Sequence, residues 1–317
     1  MKAAAGLVRC SVKIAPMSQL NEIKRKIGSV SKTRAITEAM QRIASVKVGY
    51  ARRRAEAVRP YTQALLGILR RLVTVRPEYA PALMRSKGSG GVGLFVVTTD
   101  KGLCGALNVR LLQLCVRKMQ SWQEAGQQVY VTAVGNRGLG VLRGAGANIV
   151  AEAASVSGDV LESEELLGAV AVALQQFIDG EIDQLWVATN RFVNALAYEP
   201  VLERLLPVEA DLLEHISISA PAPAANPADS VDYLYEPDPE HSINLLLMRY
   251  VESMMYRAVA DNVACEHSAR MMAMKAASDN ATRLIDLLTH SYHKTRQEAI
   301  TRELIELTAG ADALAER

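Results

Sequence analysis

Between Ile243 and Ala309 the sequence runs for 67 residues without a glycine or a proline. At 1.5 Å per residue, a helix over that stretch is roughly 100 Å long, more than the diameter of an ordinary domain. A pattern of this length, uninterrupted by caps, implies a coiled coil or a rod. Apolar and small residues recur at helical spacing through it: Ile243, Leu247, Tyr250, Met254, Ala258, Asn262, Cys265, Ala269, Met272, Ala276, then Leu284, Leu287, Ile300, Leu304 and Leu307. The entry at Tyr235-Glu-Pro-Asp-Pro makes Ser242 a candidate N-cap.

A second long helical pattern opens the chain. Leu20, Ile23, Ile27 and Val30 are spaced three, four, three, close to a heptad seam, and after a slip in phase Ile36, Met40, Ile43 and Lys47 continue it. Pro60 predicts a kink or a break, with a further helical stretch from Tyr61 to Val75. Two helices that leave one domain and pack together must run antiparallel. The first, over Gln19 to Val58, spans roughly 60 Å, so the C-terminal helix is expected to protrude by about 40 Å.

The centre has a different character. Short apolar runs (Leu94–Thr98, Val129–Val134, Asn148–Ala151, Gln184–Thr189) alternate with helical ones (Ala106–Ala125, Asn136–Arg143, Glu162–Phe177), and Val201–Pro207 suits an edge strand. Strands alternating with helices indicate a Rossmann-like α/β layer with a mainly parallel sheet. The Pro/Ala-rich 217–230 stretch reads as an exposed loop. The expected organisation is therefore an extension or targeting segment over 1–16, a coiled-coil helix over 17–76, an α/β foot over 77–235 and a long coiled-coil helix over 236–317. Met17-Ser-Gln-Leu makes a natural beginning, which favours an upstream start over a presequence for residues 1–16.

Charge is distributed unevenly. Residues 1–76 hold 17 Lys/Arg against three acids, a net +14, and the remainder carries −12. The basic half calls for an acidic partner. Arg52-Arg-Arg and Lys24-Arg-Lys have only Tyr50 and Tyr61 nearby, too few aromatics for stacking on bases, so an acidic protein surface is favoured over nucleic acid. Four cysteines without a CxxC give no disulfide framework and no zinc site. His290 and His293, one turn apart, read as a solvated pair, and Met271, Met272 and Met274 as adaptable packing. There is no GxxxxGK[ST] phosphate loop and no GxSxG elbow. Gly135-Asn-Arg-Gly-Leu-Gly follows a strand, but its spacing is wrong for a dinucleotide loop. No catalytic, cofactor or metal residues are expected.

Three long motifs carry a family resemblance: Ile36-Thr-Glu-Ala-Met-Gln-Arg-Ile-Ala-Ser-Val-Lys, Thr99-Asp-Lys-Gly-Leu-Cys-Gly-Ala-Leu-Asn, and Glu266-His-Ser-Ala-Arg-Met-Met-Ala-Met-Lys-Ala-Ala-Ser-Asp-Asn with Tyr292-His-Lys-Thr-Arg-Gln-Glu-Ala-Ile-Thr-Arg-Glu-Leu-Ile-Glu-Leu. They resemble the gamma-subunit family of F-type ATP synthases over about Gln19 to Leu314, most of all its proteobacterial forms. The resemblance implies a non-catalytic rotor shaft: an antiparallel coiled coil standing in a hexamer of alpha and beta subunits, with a foot that binds epsilon and the c-ring. It implies a peripheral place on the cytoplasmic side of the cell inner membrane, or the matrix side of the mitochondrial one. Carried over by motif position, Met40, Lys47, Arg53, Arg270, Gln297 and Thr301 are expected rotor–stator contacts, and Leu304, Leu307 and Leu314 an apolar bearing tip. Arg42-Ile-Ala-Ser-Val-Lys departs from the commoner family pattern by an added charge at Arg42. A coiled-coil tether and a Rossmann-type enzyme with helical arms are the other two classes, the latter disfavoured by the missing phosphate loop.

Overall fold

A computed structural model describes residues 16–75, 81–85, 88, 90–154, 164–194, 196–208 and 238–315. The extension before Pro16 and the 217–230 loop lie outside the described residues. Two helices bracket the chain, α1 (Pro16–Val75) and α5 (Pro239–Ala315), of 60 and 77 residues. Between them lie β1 (Gly91–Val97), α2 (Leu107–Glu124), β2 (Val129–Val134), α3 (Asn136–Gly144), β3 (Asn148–Ala153), α4 (Glu164–Asp179), β4 (Ile182–Asn194) and β5 (Ala197–Leu206). The sheet order is β3-β2-β1-β4-β5. Strands β1 to β4 pair in parallel, and β5 runs antiparallel to β4 at the edge. The mainly parallel α/β layer expected from the alternation is therefore present.

Strand β1 is buried along its whole length, as a central strand covered on both faces must be. Its alternate residues separate two cores. Val92, Leu94 and Val96 face α2 and α3 with Leu111, Trp122 and Leu142. Phe95 and Val97 face α4 together with parts of both long helices, among them Leu65, Leu66 and Leu69 of α1 and Leu247, Val251 and Val259 of α5.

The chain forms two compact units: residues 42–273, and the described parts of 1–41 with 274–317. In the first unit, Thr62 Oγ1 and Ser253 Oγ share a buried hydrogen bond at 2.6 Å. Arg59 lies near enough to Asp261, and Lys47 near enough to His267, to bear on their titration. Numbers fall along α1 as they rise along α5, so the pair is antiparallel.

Several expectations need correction. Helix α1 does not break at Pro60, which sits inside it on the exposed side. A proline within a helix costs about 3 kcal/mol, but the residues that follow bury Leu65, Leu66 and Leu69, each worth about 1.5–3 kcal/mol. The cap of α5 is Asp238, not Ser242: Asp238 Oδ1 accepts the His241 amide at 2.8 Å, and the Ser242 hydroxyl donates back to the Asp238 carbonyl. The helices differ by 17 residues, not by the larger margin expected. Ala299 is covered, and residues 300–309 are exposed at every position, a bare stretch of about 15 Å.

Candidate functional site

The seam of α1 keeps one phase. Leu20, Ile23, Ile27, Val30, Arg34, Thr37, Gln41, Ala44 and Val48 are covered at strict three–four spacing, with Ser31 half-buried beside them. In the second unit a covered line of α5 follows the same rule: Met274, Ser278, Ala281, Ile285, Leu288, Tyr292, Thr295 and Ala299, with Ala277 and Thr289 half-buried beside it. Thr37, Ala44, Ala281 and Ala299 are the fully buried small residues of these faces. There is no slip.

The slip expected from the sequence is instead a second face. Ile36, Met40, Ile43, Lys47 and Tyr50 share one side of α1, and that side points outward: Ile36 and Ile43 are each 59% exposed. Arg53 extends the face, its guanidinium 4.9 Å from the Tyr50 ring centroid. On α5, Leu284, Leu287, Ile300, Leu304, Ile305 and Leu307 are likewise exposed, Leu307 at 70%. Leu284 and Leu287 are thus outside the coiled-coil seam, not in it. Gln297, Thr301 and Leu304 fall on one exposed face. Leu314 lies within α5, its side chain outside the described residues. A helix that is apolar on two faces has more to bury than one partner helix covers, and exposed aliphatic runs of this extent mark protein-contact surfaces.

Arg270 is placed differently. Its side chain is only 14% exposed and pairs with Glu266 Oε1 at 2.6 Å. The same guanidinium donates to the Gly102 carbonyl at 3.1 Å. Burial pushes the Glu266 carboxyl up, with Arg270 acting against it. His267, beside Arg270, is lowered to about 4 by burial, then by Arg270 and Lys47, so it is neutral at pH 7.

Nearby, α5 is fastened to β4. Thr189 Oγ1 donates to the Ala258 carbonyl at 2.8 Å, Asn190 Nδ2 to Asn262 Oδ1 at 2.8 Å, and the Cys265 thiol to the Asn190 carbonyl at 3.3 Å. Two buried polar atoms among the described residues find no protein partner, Arg59 Nε and Asn190 Oδ1. Sequence reasoning missed this polar joint. Its one visible signal was Asn262 standing in an otherwise apolar stripe.

The glycine turn after β2 is closed to phosphate. A phosphate there would need free backbone amides, and all four are spent. Gly135 donates to the Ala153 carbonyl at 2.8 Å, Asn136 to Asp100 Oδ1 at 3.2 Å, Arg137 to the Thr99 carbonyl at 2.9 Å and Gly138 to Thr98 Oγ1 at 2.9 Å. Gly135 has φ +91°, and a Cβ there would strike the Thr98 carbonyl. Among the described residues no group of three or more His, Cys, Asp or Glu could hold a metal ion, and no helix is long and apolar enough to cross a membrane. His290 and His293 are both exposed, and Met274 is buried in the seam.

Comparison with known proteins bears on what these outward faces meet. A family model described as ATP synthase matches residues 19–314. The ATP synthase gamma chain of Polynucleobacter asymbioticus is 43% identical over 298 residues, covering 94% of this chain and all of the relative. That of Thiobacillus denitrificans is 42% identical over 300 residues, with the same coverage. In fold the chain is similar to a chain in the central stalk and c-ring structure of the Tetrahymena thermophila mitochondrial ATP synthase (TM-score 0.53, 23% identity, 77% of this chain and 99% of that one). It is also similar to one in the OSCP/F1/c-ring structure of the Euglena gracilis mitochondrial enzyme (TM-score 0.50, 18% identity, 87% and 95%).

Proposed function

The chain belongs to the ATP synthase gamma family, and on that premise we propose that it works as the central rotor shaft of an F1Fo ATP synthase, coupling proton flow across the membrane to ATP synthesis. The observation that carries the reading is the second face of each long helix. Each long helix keeps one covered seam, which leaves Ile36, Met40, Ile43 and Tyr50 on α1, and Leu284, Leu287, Ile300, Leu304 and Leu307 on α5, for surrounding subunits to cover. A hexamer of alpha and beta subunits is the partner proposed for both.

Within that ring, Met40, Lys47 and Arg53 meet acidic segments of beta, Gln297 and Thr301 make polar contacts higher up, and Leu304, Leu307 and Leu314 form the tip in an apolar bearing. A bearing must let the shaft turn. Ala309, Gly310, Ala311 and Ala313 offer little to catch on. The α/β foot takes epsilon and the c-ring, which places the chain peripherally at the cell inner membrane on the cytoplasmic side. The chain itself does no chemistry; catalysis belongs to beta. Family membership favours the rotor over a coiled-coil tether, and the spent amides at 135–138 weigh against a Rossmann-type enzyme.

Co-purification tests the reading. The tagged chain is expected to bring down alpha and beta at three copies each per copy of itself, and recovery without them would overturn it. In the assembled complex, Lys47→Glu with Arg53→Glu is expected to lower ATPase activity or coupling at least tenfold, one decade for each 1.4 kcal/mol of interaction energy removed. Normal coupling in that variant would remove the basic face from the mechanism.

A further inference from the structure

The turn between β1 and α2 is over-determined. Asn108 Nδ2 donates to Thr99 Oγ1 at 2.7 Å, the Thr99 hydroxyl donates to the Lys101 carbonyl at 2.8 Å, and Asp100 accepts the Asn136 amide. At its apex Leu103 has φ +65°, a left-handed conformation that L-residues avoid, with its side chain more than half exposed. Such a conformation persists only where its surroundings hold it. The holder is on another element. The Arg270 guanidinium reaches the Gly102 carbonyl through both Nε (3.4 Å) and Nη2 (3.1 Å), and is itself aimed by Glu266 at 2.6 Å, a carboxylate almost wholly buried. The Arg137 guanidinium fills the other side of Gly102, 2.6 Å from where a Cβ would stand. Directly behind this contact come the three bonds that fasten residues 258–265 of α5 to β4.

We propose that Arg270 is a positioning residue turned inward: it straps the Lys101–Leu103 turn to α5, so that foot and helix turn as one body and torque passes between them without slack. It takes this role in place of the outward contact that the family resemblance implies for it. The inference rests on the rotor reading. Guanidinium geometry is central to it, because a planar fork can serve a carboxylate and a carbonyl together, whereas an ammonium acts as a point charge.

Cys104 reports on the strap directly. It adjoins Leu103, is 3% exposed, and packs with Leu107, Cys265 and Ala269. Cys115, buried in a separate core cluster further along α2, reports global opening. The assembled complex in membrane vesicles, with the chain as wild type, Arg270→Gln or Arg270→Lys, is treated with a maleimide; labelling at each cysteine is read by peptide mass, beside protons pumped per ATP hydrolysed. In Arg270→Gln the strap is lost, so Cys104 is expected to label about tenfold faster, with Cys115 unchanged and fewer protons pumped per ATP. Arg270→Lys is expected to fall between that variant and wild type. Wild-type protection of Cys104 in both variants overturns the proposal, whatever happens to pumping, because Arg270 then acts outward. If Arg270→Gln opens Cys115 as well, Arg270→Lys decides: faster Cys104 with Cys115 protected supports the strap, and a wild-type rate overturns it. Failure of the wild-type chain to assemble with alpha and beta would defeat the rotor reading instead, a separate outcome.

Discussion

The two halves of α5 present a controlled comparison inside one helix. Residues 243–273 and 274–309 share a backbone and the same freedom from glycine and proline. In the proximal half Leu247, Val251, Met255, Val259, Ala264 and Cys265 are almost wholly buried. Ser253, Asp261, Asn262, Glu266, His267 and Ser268 are buried too, with Asn262 and Ser253 hydrogen-bonded across to β4 and α1. In the distal half a narrow seam that includes Ile285 and Leu288 is covered, while Leu284, Leu287, Ile300, Leu304, Ile305 and Leu307 stand outside it. Burial inside the chain therefore explains the residues of the proximal half, while the outward aliphatics of the distal half find no such cover within the described residues. Residue type alone does not separate them: Leu247 is fully buried and Leu287 is 69% exposed.

The largest effect is expected where burial is complete. Leu247→Ala should destabilise the chain by about 2–5 kcal/mol, read as a fall in the melting midpoint. A cost below about 1 kcal/mol would break the contrast, since an exposed position predicts a change that small. Next comes the distal seam. Ala281→Leu forces an extra side chain into a covered seam position and should cost about 1–3 kcal/mol, whereas Leu287→Ala, on the outward face, should stay within about 0.5 kcal/mol yet weaken recovery of the assembled complex. Equal stability losses in the two variants would mean that Leu287 is covered by this chain after all.

The smallest effect concerns pH. His267 has a folded pKa of about 4 against an ordinary 6.5, lowered by burial first and then by Arg270 and Lys47. The unfolded chain binds its proton more readily, so the contribution of this group is present above pH 6.5 and is lost as pH falls from there toward 4. Glu266 and Asp261, whose carboxyls burial raises, act in the opposite sense as they take up protons. His267→Asn should accordingly flatten the decline in melting temperature between pH 6.5 and 4.5. An unchanged slope would assign that decline to other groups.

How much of this was readable depended on what each residue packs against. Val129–Val134 stood out to the residue, because a run of strand formers meets a glycine at φ +91°. The parallel pairing of β1 to β4 agrees with the alternation of runs, and β5 lies at the sheet edge as expected for 201–207. Pro60 misled because helix propensity is local, while Leu65, Leu66 and Leu69 are held by tertiary burial. The phase of α1 misled for a deeper reason. Its true seam runs through Arg34, Thr37, Gln41 and Ala44, which no hydropathy pattern selects, and the aliphatics that draw the eye belong to the outward face. The strap at Arg270 was invisible, since its partners are backbone carbonyls 168 and 169 residues away.

The sealed glycine turn at 135–138 has a consequence for how information reaches the chain. Where an α/β layer of this kind would ordinarily read a phosphate, each amide is already committed to the chain's own backbone, hydroxyl or carboxylate. At that turn the concentration of nucleotide has nothing to grip. Under the proposed rotor reading, the nucleotide state reaches the chain as force on its surfaces, and an apparatus meant to be pushed gains from a turn that is deaf to the chemical signal it helps to produce.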